Sequence, residues 1–478
     1  MKELKMFIDG QFVENESGKW INVLNPSTEE VISLMPDGTA EDARKAIEAA
    51  EQAQPAWERT PAIQRAAYLR KIAEGIRARE AELTDIIVRE GGKTQGLANV
   101  EVLFTADYLD YMAEWARRYE GEIVQSDRPN ESIFVFKRPI GVTTGILPWN
   151  FPFFLIARKA APALVTGNTI VIKPSQLTPE NAYVFAQIVA ESGLPKGVFN
   201  LVNGRGSVIG HELAANPKVG MVSLTGSVGA GQQTMAAAAP NITKVSLELG
   251  GKAPAIVMAD ADLDLAVKAI IASRVINTGQ VCNCAERVYV DRKVKAAFME
   301  KLIAGMSQVK VGDPNQVKEI DMGPLIEANA LASVEAKVAK AVAQGAKLVL
   351  GGKRIGTKGY FFEPTILDEV TQEMDIVHEE TFGPVLPIVA YDTIDEAIAW
   401  ANDCEYGLTS SVYTEGLENA FKVMRSLKFG ETYVNRENFE AMQGFHAGWR
   451  KSGIGGADGK HGLEEYLQTQ VVYLETKN

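Results

Sequence analysis

Between about Gly141 and Leu249 short β-branched runs alternate with helical stretches, and this alternation leaves the chain few architectures. The runs are Gly141-Val142-Thr143-Thr144-Gly145-Ile146, Thr169-Ile170-Val171-Ile172-Lys173, Gly197-Val198-Phe199-Asn200-Leu201-Val202 and Met221-Val222-Ser223-Leu224. Strands separated by helices join as parallel neighbours, so the pattern predicts an α/β fold built on a parallel, doubly wound sheet. Ligands of such sheets lie outside the carboxyl ends of the strands. After Gly250 the pattern restarts with Pro254-Ala255-Ile256-Val257-Met258, which predicts a second α/β lobe. Residues up to about Gly121 read as a short hairpin, Phe7 to Val13, followed by amphipathic helices. Two further pieces, Glu122 to Arg138 and Gln468 to Leu474, read as exposed strand, an edge that a partner tends to cover. A chain of 478 residues has length for about three such units.

Composition narrows the function. A net charge of −12 argues against a nucleic-acid partner, which needs a basic face, and against docking on an anionic membrane. Four His and three Cys, with no CxxC, HxH or HExxH spacing, predict no metal site. Three cysteines make no disulfide framework, which fits a reduced, cytoplasmic setting. The N-terminal segment has no apolar core of signal-peptide length, and the apolar stretch Phe151 to Ala157 is broken by Arg158. A soluble cytoplasmic protein is expected.

The chemistry is carried by three stretches. Cys282 stands in Asn277-Thr278-Gly279-Gln280-Val281-Cys282-Asn283-Cys284, after a segment that reads as a buried helix, Leu263 to Ile276, that Thr278-Gly279 should stop. Thirty-four positions earlier Glu248 stands in the apolar run Leu247-Glu248-Leu249-Gly250-Gly251. Either residue alone is more often structural. Together, a thiol able to form a thioester and a carboxylate able to activate water make a covalent acyl mechanism. The third stretch is Leu147-Pro148-Trp149-Asn150-Phe151-Pro152, whose Asn150 amide can donate to an oxyanion. Such a donor is worth roughly 3 kcal/mol of barrier.

For the cofactor, Gly204-Arg205-Gly206 with Gly210 is a near miss to GxGxxG. A second candidate, Thr225-Gly226-Ser227-Val228-Gly229-Ala230-Gly231, follows a strand and opens a helix, as an anion site of backbone N–H groups requires. Its other reading is an ordinary βα turn. Lys173 ends a strand and should point into the ligand crevice.

These stretches resemble the aldehyde dehydrogenase superfamily over essentially the whole chain, and most closely its bacterial members acting on lactaldehyde and glycolaldehyde. The resemblance implies an NAD(P)-binding domain at 1–120 and 141–249, a catalytic domain at 250–450 and a β oligomerisation lobe at 121–140 and 451–478. It implies Cys282 as nucleophile, Glu248 as general base and Asn150 in the oxyanion hole. It places Gly226 and Ser227 at the cofactor pyrophosphate and Gly204 near the adenosine end. Lys173 would hold the adenosine ribose and Glu380 the nicotinamide ribose, with Phe382 packed beside it; Trp149 and Ser175 would also reach the cofactor. At Gln176 many NAD-preferring members carry Glu, so this neutral side chain predicts that NADP is accepted alongside NAD. A homo-oligomer, dimer or tetramer, is implied as well.

Where many members place aromatic side chains around the substrate, this chain has Arg158 and His446, with Glu440 nearby and Asn283 after the nucleophile. Charged groups in a pocket are costly to desolvate unless the substrate pairs with them, which favours a short α-hydroxyaldehyde. Alternatively Arg158 could hold the carboxylate of a semialdehyde such as succinic semialdehyde, or pair with a structural acid while His446 faces water. Two rivals remain: a non-redox thiol acyltransferase, and a non-catalytic protein of the same fold. No GxSxG elbow supports a serine hydrolase.

Overall fold

The computed structural model describes residues 2 to 477. Its largest sheet has eight strands, in the spatial order Gly453–Ile454, Lys244–Glu248, Met221–Thr225, Val142–Ile146, Thr169–Lys173, Phe199–Leu201, Met6–Ile8, Gln11–Val13. The five central strands are parallel, while Gly453–Ile454 and the hairpin add antiparallel edges. Chain order reverses between Val142–Ile146 and Met221–Thr225. Helices that follow these two strands leave in opposite directions, and a crevice opens between them at the carboxyl edge.

Helix Phe154–Thr166 follows the first of these strands and is buried along its whole length. Glycine at 145 lets it approach the sheet: a Cβ there would lie 2.6 Å from Ile172 and 3.1 Å from the Lys159 stem. Full burial of a helix that carries Arg158 and Lys159 obliges both cations to find partners inside the protein.

The second sheet has seven strands, Lys347–Leu350, Thr365–Asp368, Val385–Tyr391, Ala285–Asp291, Ala253–Val257, Thr409–Tyr413 and Glu431–Val434, all parallel except the first pair. It meets the crevice with its amino ends: Cys282 and Asn283 lead into Ala285–Asp291, and Glu380 to Phe382 into Val385–Tyr391. The expectation of ligands at carboxyl ends therefore describes the first sheet and not the second.

Three other findings differ from the sequence reading. Trp20–Leu24 and Val31–Pro36 form a small sheet with Lys2–Glu3 where only helices were expected after the hairpin. Helix Leu263–Val275 is buried on one face only, although its stop is as expected, a turn in which Asn277 and Thr278 take left-handed φ of 46° and 60°. Finally, the segment 451–478 divides. Leu467–Glu475 pairs with Glu131–Pro139 beside Glu122–Val124, but Gly453–Ile454 joins the large sheet and Asp458 pairs with Arg158 behind the crevice wall. Among the described residues no helix is long and apolar enough to cross a membrane.

Candidate active site

A cavity of about 370 Å³ opens at the crevice. From the first sheet its walls take Trp149, Asn150, Arg158, Thr225, Gly226, Ser227 and Glu248; from the second, Cys282, Asn283, Glu380, Phe382 and Glu440. Phe104, Phe151, Phe154 and Phe439 also line it, so the pocket keeps aromatic walls around its charged end.

The Cys282 loop is fixed from several sides. Thr278 Oγ1 donates to Gly323 O at 3.0 Å, Ile326 N to Gln280 Oε1 at 2.9 Å, Thr409 Oγ1 to Asn283 O at 2.8 Å, and the buried Arg274 to Gly279 O at 2.9 Å. A Cβ at Gly251 would meet Cys282 O at 2.5 Å, so glycine there permits the close approach. The Cys282 thiol is half-buried. Burial pushes its pKa up, and His446 works against that rise. Cys284 is different: it is buried, its Sγ donates to Val281 O at 2.9 Å, and burial pushes it up to about 12. That thiol is a packing group.

Asn150 uses one N–H of its amide on Gln280 O at 3.0 Å, and its Oδ1 accepts from Phe151 N at 3.1 Å. An amide carries two N–H groups, so one remains for the cavity. Its loop is held by an ion pair the sequence reading missed. Lys93 Nζ lies 2.5 Å from Glu101 and donates to Asn150 O at 2.7 Å, while Glu101 accepts from Phe153 N and Phe154 N at 3.0 and 3.2 Å. No local pattern marks Lys93 or Glu101, because the backbone groups they hold, Asn150 O and the N–H groups of Phe153 and Phe154, are some fifty residues away.

Glu248 ends its strand opposite Thr225, whose Oγ1 donates to Oε2 at 3.2 Å. Arg158 Nη1 is 3.6 Å and Lys159 Nζ 4.0 Å away. Burial alone would raise the Glu248 pKa, but Lys159 and Arg158 outweigh it, so the carboxylate is held ionised. Arg158 does pair with a structural acid: Nε donates to Asp458 Oδ1 at 2.9 Å, and Nη2 contacts Asp458 Oδ2 and Glu440 Oε1, the latter at 3.2 Å. Glu440 also accepts from Asn283 Nδ2. His446 does not face water. It is 2% exposed, and its Nδ1 is 2.5 Å from Glu431 Oε1. Burial favours the neutral imidazole, yet Glu431 and Cys282 together carry its pKa well above the usual histidine value.

The residues expected at the cofactor fall into two groups. Trp149, Gly226, Ser227, Glu380 and Phe382 line the cavity. Ser227 caps helix Val228–Ala238, accepting from Ala230 N at 3.2 Å, and the Trp149 and Phe382 rings meet edge-to-face at 5.6 Å. Glu380 Oε1 accepts from Gly251 N at 2.8 Å, and burial beside Glu286 pushes its carboxyl up to about 7. Lys173, Ser175, Gln176 and Gly204 lie off the cavity, further along the same carboxyl edge, at the ends of Thr169–Lys173 and Phe199–Leu201. Lys173 Nζ donates to Pro174 O at 3.0 Å, and burial pushes it down to about 8. Gln176 is exposed.

A half-buried thiol, an amide donor and a buried carboxylate around one cavity are the groups that a covalent acyl chemistry requires, and comparison with known proteins gives the class of the chain. Residues 12–472 match the aldehyde dehydrogenase family. The chain belongs to that family and is an oxidoreductase. It is 69% identical over 471 residues to lactaldehyde dehydrogenase of Escherichia coli (strain K12), covering 98% of each chain. It is 46% identical to 3,6-anhydro-alpha-L-galactose dehydrogenase of Vibrio sp. (strain EJY3), covering 99% of each. A crystal structure of lactaldehyde dehydrogenase from Escherichia coli superposes with a TM-score of 0.98 at 69% identity over 99% of both chains.

Proposed function

We propose that this protein oxidises a short polar aldehyde, lactaldehyde or glycolaldehyde, to its carboxylic acid with NAD or NADP as acceptor. The observation that carries the reading is the one cavity shared by Cys282, Asn150 and Glu248, whose inner end is polar through Arg158, Asn283 and Glu440.

Cys282 as thiolate attacks the aldehyde carbon, and His446, charged beside Glu431, offsets the cost of ionising the thiol. The free N–H of Asn150 donates to the oxygen of the thiohemiacetal as negative charge develops there. A bound nicotinamide supplies the acceptor for hydride, without which an aldehyde carbon has no leaving group. Glu248 then takes a proton from water, which attacks the Cys282 thioester and releases the acid. A carboxylate in that place favours hydrolysis over transfer to coenzyme A.

The donor set fits a pyridine dinucleotide in kind. Glu380 offers a carboxylate for ribose hydroxyls, the helix capped by Ser227 offers N–H groups for the diphosphate, and Lys173 offers a cation at the neighbouring strand end. A non-redox acyltransferase would have no use for these three. We read the protein as cytoplasmic and as a homo-oligomer, dimer or tetramer. The sheet Glu122–Val124, Glu131–Pro139, Leu467–Glu475 supports the second point, because Ile123, Phe136, Val471 and Tyr473 are exposed on it.

Absorbance at 340 nm with lactaldehyde, glycolaldehyde, succinic semialdehyde and hexanal, each with NAD and NADP, tests the reading. The two hydroxyaldehydes should give the highest kcat/KM. A preference for hexanal would remove the polar pocket, and no reduction with any aldehyde would remove the activity.

A further inference from the structure

Arg158 is the guanidinium on the cavity wall, and its surroundings decide what it can still bind. Asp458 takes its Nε–Nη2 edge: Nε donates to Oδ1 at 2.9 Å and Nη2 to Oδ2. Glu440 shares Nη2 at 3.2 Å, and Glu248 stands 3.6 Å from Nη1. Asp458 is 1% exposed and does not line the cavity; it reaches the guanidinium from behind, out of a left-handed turn (φ 71°) before helix Gly459–Glu464. The Nε–Nη2 edge, one of the two that could hold a substrate carboxylate, is therefore filled by the protein's own carboxylate, and the Nη1–Nη2 edge faces Glu248 and Glu440.

We infer that Asp458 is a specificity-determining residue: by occupying the fork of Arg158 it reserves the pocket for neutral hydroxyaldehydes and excludes aldehydes that carry a carboxylate. The inference rests on the aldehyde-oxidising function proposed above and names its substrate class. A hydroxyl both donates and accepts, so it can bridge Arg158 Nη1 and Glu440. A carboxylate only accepts, and it meets Glu440 and Glu248 as like charges in a site of low dielectric. Asp458 acts through Arg158 and is a positioning residue.

The test compares lactaldehyde with succinic semialdehyde in the wild type, in Asp458→Asn and in Asp458→Asn combined with Arg158→Met, at low and high salt. The wild type should prefer lactaldehyde. Asp458→Asn should shift the kcat/KM ratio toward the semialdehyde by at least about tenfold, chiefly through KM, since pairing a freed guanidinium is worth that much or more. Added salt should weaken the gain, and Arg158→Met should abolish it. A purely structural role would lower both aldehydes together. Asp458→Ser, which leaves room for water on the fork, repeats the measurement if the Asn variant melts early. A wild type that prefers the semialdehyde overturns the inference without any variant. Retained lactaldehyde oxidation with an unmoved ratio removes the inference alone, whereas a wild type that oxidises neither aldehyde removes the functional reading with it.

Discussion

Asn150→Ala separates the oxyanion donor from everything else in the site. The wild-type amide spends one N–H on Gln280 O, and the other is the one proposed to reach the substrate. Alanine removes both. Loss of the first leaves a carbonyl without its donor, which costs about 1 kcal/mol of stability. Loss of the second removes an interaction made only as charge develops, about 3 kcal/mol of barrier, or about 150-fold in rate. Lys93 and Asn277 hold the backbone of residue 150 through its carbonyl, at 2.7 and 3.2 Å, so the loop should stay in place when the side chain is shortened. The assay is the rapid burst of reduced cofactor on mixing enzyme, cofactor and lactaldehyde, because steady-state turnover includes thioester hydrolysis, which Asn150 need not control. The burst rate should fall by about two orders of magnitude with little change in cofactor affinity. A burst within about threefold of wild type would refute the assignment of the oxyanion donor.

Other outcomes follow from the same geometry. Cys282→Ala should abolish oxidation, and Glu248→Ala should slow turnover while leaving the burst; full steady-state activity in either contradicts its role. Glu380, pushed up to about 7, is protonated below that pH and ionised above it. Only the ionised form accepts from two ribose hydroxyls, so cofactor affinity measured by protein fluorescence should rise several-fold from pH 6 to pH 8 and be flat in Glu380→Gln. Gln176→Glu should raise the NAD over NADP preference by at least about tenfold, because its charge repels a 2′-phosphate; an unchanged ratio of kcat/KM would show that residue 176 does not face the ribose.

Much of this was legible in the sequence because the information is local. Runs such as Thr169 to Lys173 announce their strands, and Thr225-Gly226-Ser227 announces a strand, a turn and a helix cap within three residues. What escaped was set by distant contacts. Trp20–Leu24 and Val31–Pro36 become strands by pairing with each other and with Lys2–Glu3. Asp458 and Glu431 matter only because the fold brings them to Arg158 and His446, and no spacing along the chain marks them.

The charged end of the pocket follows from one constraint. Helix Phe154–Thr166 is buried all round, yet it presents two adjacent cations toward the end of the Glu248 strand. Two unpaired cations there would be prohibitive, and the chain answers with anions from three separate segments, Glu248, Glu440 and Asp458, while Glu431 pairs with His446 beside them. Removing any one leaves a buried charge short of its partner, so single exchanges here should lower stability and free a charge inside the pocket. The same balance keeps Glu248 ionised, as the proposed hydrolytic step requires, and ties His446 to Glu431 beside the thiol. Electrostatic balance of the core and reactivity of the site are thus one arrangement, which is why a substitution at the concealed Asp458 should read out as substrate choice.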